Sequence, residues 1–501
     1  MSEYLYPGRV NNGSEKSAIK VFGNRFKSDQ TMYEYLIEFL LIYISAKNEG
    51  SSEELRFHNA QEINSKQLSF HIKSNMGLRR FIFFDKAKQG GKVAVDQQAY
   101  EDLISILKQH IECDSDEKTE ELIDAIKDLL YGYAVVVKKR TWCAQAVLPL
   151  CKELVFCEAM PNVSSRKKIA RNTNDINEID GDFSKDKRNF LARGGELYYL
   201  HLLQALDNQP EKKAQLEKLL NYMLLQQCKK ISSVCSFIEQ TWEKEKNYTS
   251  SVGTRNLNIT GIPFGGYKQA GEFAVDELIG FLSNSLDPIK RTELMAKGVM
   301  LQVLRMMSDR VSEYLNIPRS YWIVDMRGND NKIVKSIAAK SFSDLEDRFL
   351  TALNDALPEE NDEAKNLSNL NEARRNTLDV FRAKGKEIGC IIPVSGAHER
   401  FSLSEDVVSF LVLSLVKPGE KITVDHFLNR IYEHYGIVIG ADEYKKSLNN
   451  NTAKLSESLS SSFNSNLAAF QNFLNATGFL KELSDATSLV INPYERIDIG
   501  E

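Results

Sequence analysis

Residue types that do chemistry are present in this chain, but their spacing matches no enzyme motif. The 501 residues contain no G-x-x-x-x-G-K-[ST] phosphate loop, no G-x-S-x-G nucleophile motif and no H-E-x-x-H zinc motif. The seven histidines are scattered, and His426 and His434, which share a helix face, have no neighbouring cysteine or clear carboxylate partner. These patterns favour a structural or surface role for the histidines, and they predict no cofactor.

Two acidic patterns resemble metal sites but fail on position. Segment 175–182 has Asp180 where a calcium loop requires glycine. Glu-x-Lys, found on a strand in some metal-dependent nucleases, occurs at 211–213, 363–365 and 443–445, in places where no strand is expected. The sequence therefore predicts no metal site and favours a non-catalytic role. A divergent metal-dependent nuclease with dispersed acidic residues is the enzyme alternative.

Two basic segments are candidate contacts for a nucleic-acid backbone. They supply the following residues: Lys138, Lys139, Arg140, Trp142, Arg166, Lys167, Lys168 and Arg171. If the fold brings the segments together, they form a basic patch with an aromatic ring, which suits backbone contact and stacking. A solvated run of charges is the alternative interpretation. Residues 1–401 carry no net charge, so any such patch must be local.

A second candidate lies at Arg193-Gly-Gly-Glu196. The two glycines permit a tight turn, and a carboxylate is favoured near a helix N-terminus, where Glu196 is expected. Arg193 and Glu196 are therefore candidates for an interaction surface. A turn that contains a buried ion pair is the alternative.

The elements that must position these residues are mostly helices. Length predicts two or three domains, and 42% hydrophobic with 27% charged residues is ordinary for a globular protein. Apolar residues at helical spacing predict helices over the following ranges: 29–47, 96–111, 118–130, 195–206, 211–246 (as one helix or two), 277–286, 292–315 and 344–384 (as one or two helices, broken at Pro358). We expect 77–84 to be a strand or buried segment and 321–326 a strand.

The last hundred residues contain the most informative order of elements. Ser402 and Glu405 have the spacing of a capping box, and the apolar run after them predicts a helix that stops at 417–419 (Lys-Pro-Gly). A second helix is expected from Thr423 to Gly436. Both helices are amphipathic or strongly apolar, so we expect them to be buried against other elements.

A short β-type run, a third helix and a hairpin follow. The β-type run is 437–439, the third helix is marked by apolar residues over 455–473, and Gly478 closes it. Strands are expected at 479–483 and 488–491. Helix, helix, short strand, helix and hairpin is the order of a winged-helix domain. A generic helical domain with a hairpin is the alternative.

The charge of this region disfavours DNA as its main partner. Residues 402–501 contain eight Lys/Arg and thirteen Asp/Glu, whereas a duplex-binding domain gains affinity from basic groups. The third helix is instead rich in Asn and Ser, which serve at protein interfaces as well as on bases. We expect protein docking, with Asn451 and Ser456 on the interaction surface. Lys454 and Lys481 are the candidate nucleic-acid contacts here.

Several features predict a cytoplasmic protein without a membrane segment. The N-terminus lacks the regions of a signal peptide, and the longest apolar stretch, 35–46, is interrupted by Glu38 and falls short of the ~20 residues of a span. Seven cysteines, an odd number without C-x-x-C, predict reduced and mostly buried thiols.

The tail resembles proteins from bacterial phage-defence islands. The matching pieces are Phe401-Ser-Leu-Ser-Glu-Asp, Lys417-Pro-Gly-Glu, Tyr435-Gly-Ile-Val-Ile-Gly and Val490-Ile-Asn-Pro-Tyr, with Arg193-Gly-Gly-Glu adding a little. Similar families include the DptG-like component of phosphorothioation-dependent restriction and subunits of methylation-linked or BREX-like systems. The resemblance implies a non-catalytic subunit beside a separate ATPase, helicase or nuclease, and it carries over no catalytic residue.

Together these observations predict a mainly α protein with a multi-helix body and a C-terminal winged-helix domain. The expected divisions are an N-terminal helical domain with a short β element (1–160), a basic and acidic loop (161–188), a central helical domain (189–390) and the winged helix (391–501). The expected function is an adaptor or DNA-engaging subunit of an antiviral defence complex. A stand-alone transcription regulator is a further alternative.

Overall fold

The protein is mainly α-helical in the part of the chain that the structure describes, as the sequence predicts. The computed structural model describes residues 4–6, 9–10, 16–26, 30–45, 55–59, 69–73, 75–82, 94–132, 145–147, 155–157, 194–247, 252–256, 261–263, 266–268, 270–328, 331–358, 362–448, 455–483 and 488–499, here called the described residues. Among them, no helix is both long and apolar enough to cross a membrane.

Helices of the first half are interleaved with short strands. The helices are α1 (Ser17–Phe22), α2 (Met32–Ser45), α3 (Met76–Ile82), α4 (Ala94–His110), α5 (Asp116–Gly132), α6 (Gly194–Leu206), α7 (Pro210–Asn221) and α8 (Lys229–Glu245). The strands are β1 (Tyr4–Tyr6), β2 (Arg9–Val10), β3 (Ser69–Lys73), β4 (Gln145–Val147), β5 (Val155–Cys157), β6 (Val252–Asn256) and β7 (Ile262–Pro263). Strand β1 pairs with β2 and β7, β3 with β6, and β4 with β5, all antiparallel.

The second half continues with longer helices. The body contains α9 (Gly271–Leu282), α10 (Pro288–Tyr314), β8 (Trp322–Ile323), α11 (Lys332–Asp355), α12 (Glu363–Arg375), α13 (Leu378–Ile388), β9 (Ile391–Ile392) and β10 (Arg400–Phe401). The C-terminal region contains α14 (Glu405–Leu415), β11 (Lys421–Thr423), α15 (Val424–Tyr435), β12 (Ile437–Val438), α16 (Ala441–Ser447), α17 (Glu457–Ala476), β13 (Leu480–Glu482) and β14 (Ser488–Ile491).

Most helix predictions for the body are confirmed within a few residues, but one segment differs. The run 77–84 was expected as a strand or a buried segment, and its described part belongs to α3. A short apolar run does not distinguish a strand from a buried helix. Here Glu239 of α8 accepts a hydrogen bond from the Leu78 amide (2.8 Å), and buried Arg80 lies over the Trp242 ring (5.7 Å to its centroid). These contacts dock the segment on α8 as a helix.

Two longer predicted ranges are divided in the structure. The range 211–246 forms α7 and α8, joined by a π-helical turn over Tyr222–Gln226. The range 344–384 falls on α11, α12 and α13, one helix more than predicted, because a second break occurs after Arg375. The break between α11 and α12 follows local signals, since Pro358 cannot continue α11 and Asp362 caps α12.

Helix α10 is the central element of the core. Asp287 accepts hydrogen bonds from the amides of Ile289 and Lys290, and Pro288 occupies the first helical position, so the helix start is fixed by sequence. Most of its residues from Leu294 to Ser312 are buried, which a helix surrounded by other elements requires. It packs against α2, α6, α11, α13 and α14.

The C-terminal region has the predicted order of helices and hairpin, with three differences in detail. The N-cap of α14 is Ser404, whose Oγ accepts from the Val407 amide, and not Ser402, whose hydroxyl donates to the Asp325 carbonyl oxygen (2.9 Å). The sequence missed α16, and it missed β11. Thr423 caps α15, and Gly436 ends it in a left-handed conformation, both as predicted.

Strands of this region form a three-stranded antiparallel sheet and one additional pair. The sheet has the order β11, β14, β13, with Ile422 opposite Val490 and Leu480 opposite Val490 on the other side. The hairpin predicted at 479–491 is present as β13 and β14, and its tip lies outside the described residues. Strand β12 pairs in parallel with β8, which comes before the predicted boundary at residue 391.

The hydrophobic core runs across that predicted boundary. A single cluster of buried side chains includes Leu36 of α2, Leu301 of α10, Leu411 of α14 and Phe470 of α17. The C-terminal region is therefore packed into the body by a shared core, and the predicted domain divisions stay predictions.

Candidate functional site

Most residues predicted to form a site lie outside the described residues. These are Lys138, Lys139, Arg140, Trp142, Arg166, Lys167, Lys168, Arg171, Arg193, Asn451 and Lys454. Whether the two basic segments meet therefore stays a prediction. Glu196, Ser456 and Lys481 are described, and they lie in different environments.

Glu196 lies in the first turn of α6 and is fully buried. The turn that precedes it packs against α2: the Gly195 amide donates to the Glu38 carboxylate (2.9 Å), and a Cβ at Gly194 would collide with the Tyr35 ring. The glycines are thus required by close helix packing. The expected place of Glu196 on an interaction surface does not fit this position, because a partner protein cannot reach a side chain inside the core.

Ser456 and Lys481 are both exposed, at opposite ends of α17. Ser456 is the N-cap of the helix, and its Oγ accepts a hydrogen bond from the Leu459 amide (3.3 Å). The Ser456 hydroxyl therefore stabilises the start of α17. The sequence alone does not distinguish this capping role from a contact with a partner protein. Lys481 lies on β13, the strand that follows α17.

Beyond Glu457, its first residue, the exposed stripe of α17 carries no charge. We define the α17 outer face as its exposed side chains after the first helical residue: Ser458, Ser461, Asn464, Ser465, Ala468, Asn472, Asn475 and Ala476. Most are three or four positions apart, so they share one side of the helix. No Lys, Arg, Asp or Glu occurs between Glu457 and Lys481. The face presents hydroxyl and amide groups on short side chains, and it has no charge with which to attract a partner.

The opposite side of the C-terminal region is buried against the body. Every residue of α14 from Val407 to Leu415 is buried, between α9 and α10. The approach is close on both sides: a Cβ at Gly280 of α9 would collide with the Ser414 carbonyl oxygen, and one at Gly298 of α10 would collide with the Phe410 ring. Glycine is needed at both positions for the helices to come this near.

A buried ionic cluster joins α9 and α10 to α15. Glu277 is fully buried, and its Oε1 accepts from Arg305 Nη1 (2.9 Å), while its Oε2 accepts from Gln302 Nε2 (2.6 Å). Nδ1 of His434, on α15, lies 2.9 Å from Oε1 of the same carboxylate. Phe273 stacks on the His434 ring, with 4.1 Å between the centroids. We call Glu277, Gln302, Arg305 and His434 the Glu277 cluster.

In this cluster, oppositely charged neighbours shift the pKa values in the direction opposite to burial. Burial alone raises the pKa of the Glu277 carboxyl, but Arg305 and the hydrogen bond with His434 outweigh it and hold the pKa below its ordinary value. Burial lowers the pKa of Arg305, and Glu277 more than reverses that effect. Both groups are therefore charged at neutral pH, and the Arg305 guanidinium also lies over the Tyr435 ring, 4.7 Å from its centroid.

Three buried asparagines add further hydrogen bonds between the C-terminal region and the body. Asn492 donates to Asn284 Oδ1 (2.7 Å) and to the Val416 carbonyl (2.8 Å), and Asn284 donates to the Leu413 carbonyl (3.0 Å). Asn466, on the inner side of α17, donates to the carbonyls of Val324 and Ile439. Buried amides that are fully hydrogen-bonded fix one arrangement of helices.

The sequence interpretation missed the Glu277 cluster. The expectation that His434 has no clear carboxylate partner is wrong, because the fold brings Glu277, which precedes it by 157 positions, to its ring. One signal was available: Glu277, Gln302 and Arg305 interrupt apolar helix faces. A charged residue on such a face requires a partner of opposite charge when the face is buried.

The described residues contain no group of three or more His, Cys, Asp or Glu side chains placed to hold a metal ion. Cys113, Cys228, Cys235 and Cys390 carry free thiols; Cys235 and Cys390 are buried and Cys113 is exposed. The chain matches no protein-family model, no curated protein sequence and no solved structure.

Proposed function

We propose that residues 402–492 form a winged-helix unit built on the body. In this assignment α14, α15 and α17 are the three helices, β11 is the first strand, and β13 and β14 are the wing. The sheet order β11, β14, β13 supports the assignment, because the strand that follows the first helix pairs with the last strand of the hairpin. Helix α16 is an insertion between the second and third helices.

We propose that this unit docks a partner protein through the α17 outer face, and that the chain is a non-catalytic adaptor. The observation that carries the proposal is the contrast in charge: beyond Glu457 at its start, the exposed side of the third helix has no charged residue, although the chain as a whole is 27% charged. The cores of protein interfaces are depleted of charged residues, and such a face loses little when it is desolvated.

Duplex DNA is a poorer partner for the same face. A helix in the major groove is normally flanked by Lys or Arg that neutralise phosphates, and most of the affinity comes from those contacts. Lys481 of β13 is exposed near the end of α17, but Glu482 follows it directly. If the chain engages DNA, the contact falls to the basic segments at 138–142 and 166–171, which stay predictions.

Because its tail resembles phage-defence proteins, we propose that this adaptor belongs to a bacterial antiviral complex. Its partners would then be an ATPase, a helicase or a nuclease of the same system, and its place the cytoplasm. The body fits a scaffold role, because its long helices share one core with the docking unit and hold it in a fixed orientation.

Co-expression with the products of neighbouring genes tests the proposal. We expect at least one of them to co-purify with the full-length chain, and we expect the double variant Ser461→Arg/Asn464→Arg to lose it. Two arginines on an uncharged face introduce charges that the partner cannot match, at a cost of several kcal/mol. The matched control is Ser343→Arg/Asp347→Arg on the exposed side of α11, which should retain the partner.

Fluorescence anisotropy with a labelled DNA duplex separates the alternatives. The adaptor proposal predicts that the double variant binds duplex no more weakly than the wild-type chain. Salt-sensitive duplex binding that Lys481→Gln weakens would contradict docking through this face and favour a transcription regulator. Divalent-metal-dependent cleavage of the duplex would contradict the non-catalytic role and favour a nuclease.

A further inference from the structure

Helices α4 and α5 form a hairpin whose second helix is only lightly attached to the rest of the protein. Helix α4 packs against α3, α5 and α8, whereas α5 packs mainly against α3 and α4. Among the α5 side chains that the structure describes, only Thr119, Ile123 and Leu130 are buried. Most of the surface of α5 is therefore open to solvent or to a partner.

One row of apolar side chains on α5 extends from the core to the surface. Leu122 is 41% exposed and Leu129 is 50% exposed, and partly buried Ile126 lies between them. Spacings of four and three positions place the three side chains on one side of the helix. A single exposed leucine, such as Leu367 of α12, is ordinary on a protein surface, whereas a contiguous apolar row is typical of a docking surface. We call Leu122, Ile126 and Leu129 the α5 apolar row.

A row of carboxylates runs beside the α5 apolar row. Its four members are exposed and lie four, three and four positions apart: Glu117, Glu121, Asp124 and Asp128. Because Glu121 and Asp128 each precede a leucine of the apolar row by one position, the two rows are separated by roughly a quarter of a turn around the helix. We call the four acidic residues the α5 carboxylate row.

The whole hairpin is strongly acidic. Residues 94–132 contain eleven Asp or Glu and three Lys, a formal charge of −8, although the entire chain carries only −5. Each lysine of the hairpin already pairs with a carboxylate: Lys108 with Glu120, Lys118 with Asp114 and Lys127 with Asp124. Among the described residues, Glu117, Glu121 and Asp128 form no salt bridge, so most of the carboxylate row is left for a partner to neutralise.

The two rows together select one class of partner. Nucleic acids and anionic membranes are repelled by a hairpin of this charge, and a second copy of the chain would bring the same carboxylates against it. An amphipathic helix with Lys or Arg beside its apolar side matches both rows at once, because it covers the leucines and pairs with the carboxylates.

We propose that the α5 apolar row and the α5 carboxylate row bind a basic amphipathic helix of a partner protein. Apolar contacts supply most of the affinity, since each exposed ion pair contributes little. The charge speeds association and rejects acidic partners. This surface shares no residue with the α17 outer face, so it gives the chain a second docking site that does not depend on the first.

A synthetic peptide stands in for the partner helix in the test. The peptide that repeats Leu-Lys-Lys-Leu-Leu-Lys-Leu twice has leucine on one side of a helix and lysine on the other. Fluorescence anisotropy of the labelled peptide with the full-length chain, at about 50 mM salt, should give a dissociation constant on the order of 10–100 μM. The same peptide with Glu in place of every Lys should bind at least about tenfold more weakly.

Two variants of α5 test the two rows separately. Leu122→Ala/Leu129→Ala retains good helix formers and should weaken peptide binding about tenfold, because it removes apolar contact area. Glu117→Gln/Glu121→Gln/Asp128→Asn should weaken binding about three- to tenfold and should make it less sensitive to salt.

Matched control variants carry the same kinds of change elsewhere on the surface. Leu367→Ala removes an exposed leucine of α12, and Asp344→Asn/Asp347→Asn removes two exposed carboxylates of α11. Both controls should bind the peptide like the wild-type chain. A loss of binding in the controls as large as in the α5 variants would contradict a site on α5.

Four further results would overturn the proposal. One is undiminished binding by Leu122→Ala/Leu129→Ala, and another is equal binding of the Lys and Glu peptides. A third is self-association of the wild-type chain that the leucine variant abolishes, which would assign the surface to a second copy. The last is a wild-type chain that does not bind up to about 1 mM peptide. If Lys138→Gln/Lys139→Gln/Arg140→Gln then restored binding, the occupant would be the basic segment of the chain itself.

Discussion

The two sides of the C-terminal region differ in chemistry. The inner side faces a buried carboxylate and a buried guanidinium of the body, and its own Asn466 and Asn492 are hydrogen-bonded there. Beyond Glu457, the outer side, on α17, exposes short hydroxyl and amide groups without a charge. The region is thus attached where the body presents a buried ion pair, and beyond Glu457 its outer helix carries no charge.

The difference follows from the cost of removing charges from water. A buried ion pair is tolerated when each group stays paired, and it then disfavours other arrangements because an unpaired charge would be left inside. An exposed face that must be repeatedly covered and uncovered gains from carrying no charge, since little hydration is lost at each docking event. The inner side therefore fixes orientation, and the outer side is suited to a partner.

The largest predicted effect is on the inner side. Glu277→Gln leaves Arg305 buried without its counter-charge, and we expect it to lower the free energy of unfolding by about 3–5 kcal/mol. Chemical denaturation followed by circular dichroism measures the change. Glu457→Gln is the matched control on exposed α17, with an expected change within about 0.5 kcal/mol. Equal losses of unfolding free energy for the two substitutions would contradict the difference between the inner and outer sides.

A smaller loss is expected where α9 meets α14. Alanine favours a helix over glycine by about 1 kcal/mol, so Gly280→Ala would stabilise an isolated helix. Here the added methyl group collides with the Ser414 carbonyl, and we expect a net loss of about 1–3 kcal/mol in thermal or chemical unfolding. A stabilised variant would mean that α14 does not pack this closely.

The acid dependence of stability should reflect the same carboxylate. Because the pKa of Glu277 is lower in the folded protein than its ordinary value of 4.5, its ionisation stabilises the fold above that pH. This contribution is lost as the pH falls through the lowered folded pKa. The difference in unfolding free energy between the wild type and Glu277→Gln should therefore shrink below pH 4.5. A difference that stays constant into the acid range would contradict the ion pair.

The smallest effect on stability is expected on the outer side. Ser461→Arg/Asn464→Arg replaces two exposed side chains, and we expect the unfolding free energy to change by less than about 1 kcal/mol in total. The same variant should lose the partner protein, because its new charges lie in the docking face. A large loss of stability would show that this face is already packed against another part of the chain.

Local patterns in the sequence predicted the elements of the C-terminal region well. Thr423 and Gly436 define the ends of α15 as expected, and the hairpin strands lie at the predicted residues. Each of these features depends on contacts within a few positions, such as a cap or a turn. Strand β11 was missed because its three residues pair with β14, far along the chain, and have no local signature.

The Glu277 cluster was harder to predict than the helices and strands, because its contacts join residues that are far apart in the sequence. Glu277, Arg305 and His434 come from three helices, and single-sequence periodicity does not say which faces meet. Glu196 was a candidate for an interaction surface, with a turn that contains a buried ion pair as the alternative, and the packing of α6 on α2 buries it. The neutral composition of α17, by contrast, was visible in the sequence, and the structure adds which of its residues face outward.

Hydrogen–deuterium exchange on a complex with a co-purified partner tests the docking proposal most directly. We predict slower exchange along α17 on binding, including the turns that carry Ser461 and Asn464, with little change in α14, which is buried already. Unchanged exchange throughout α17, with protection appearing only elsewhere in the chain, would contradict docking through the outer face.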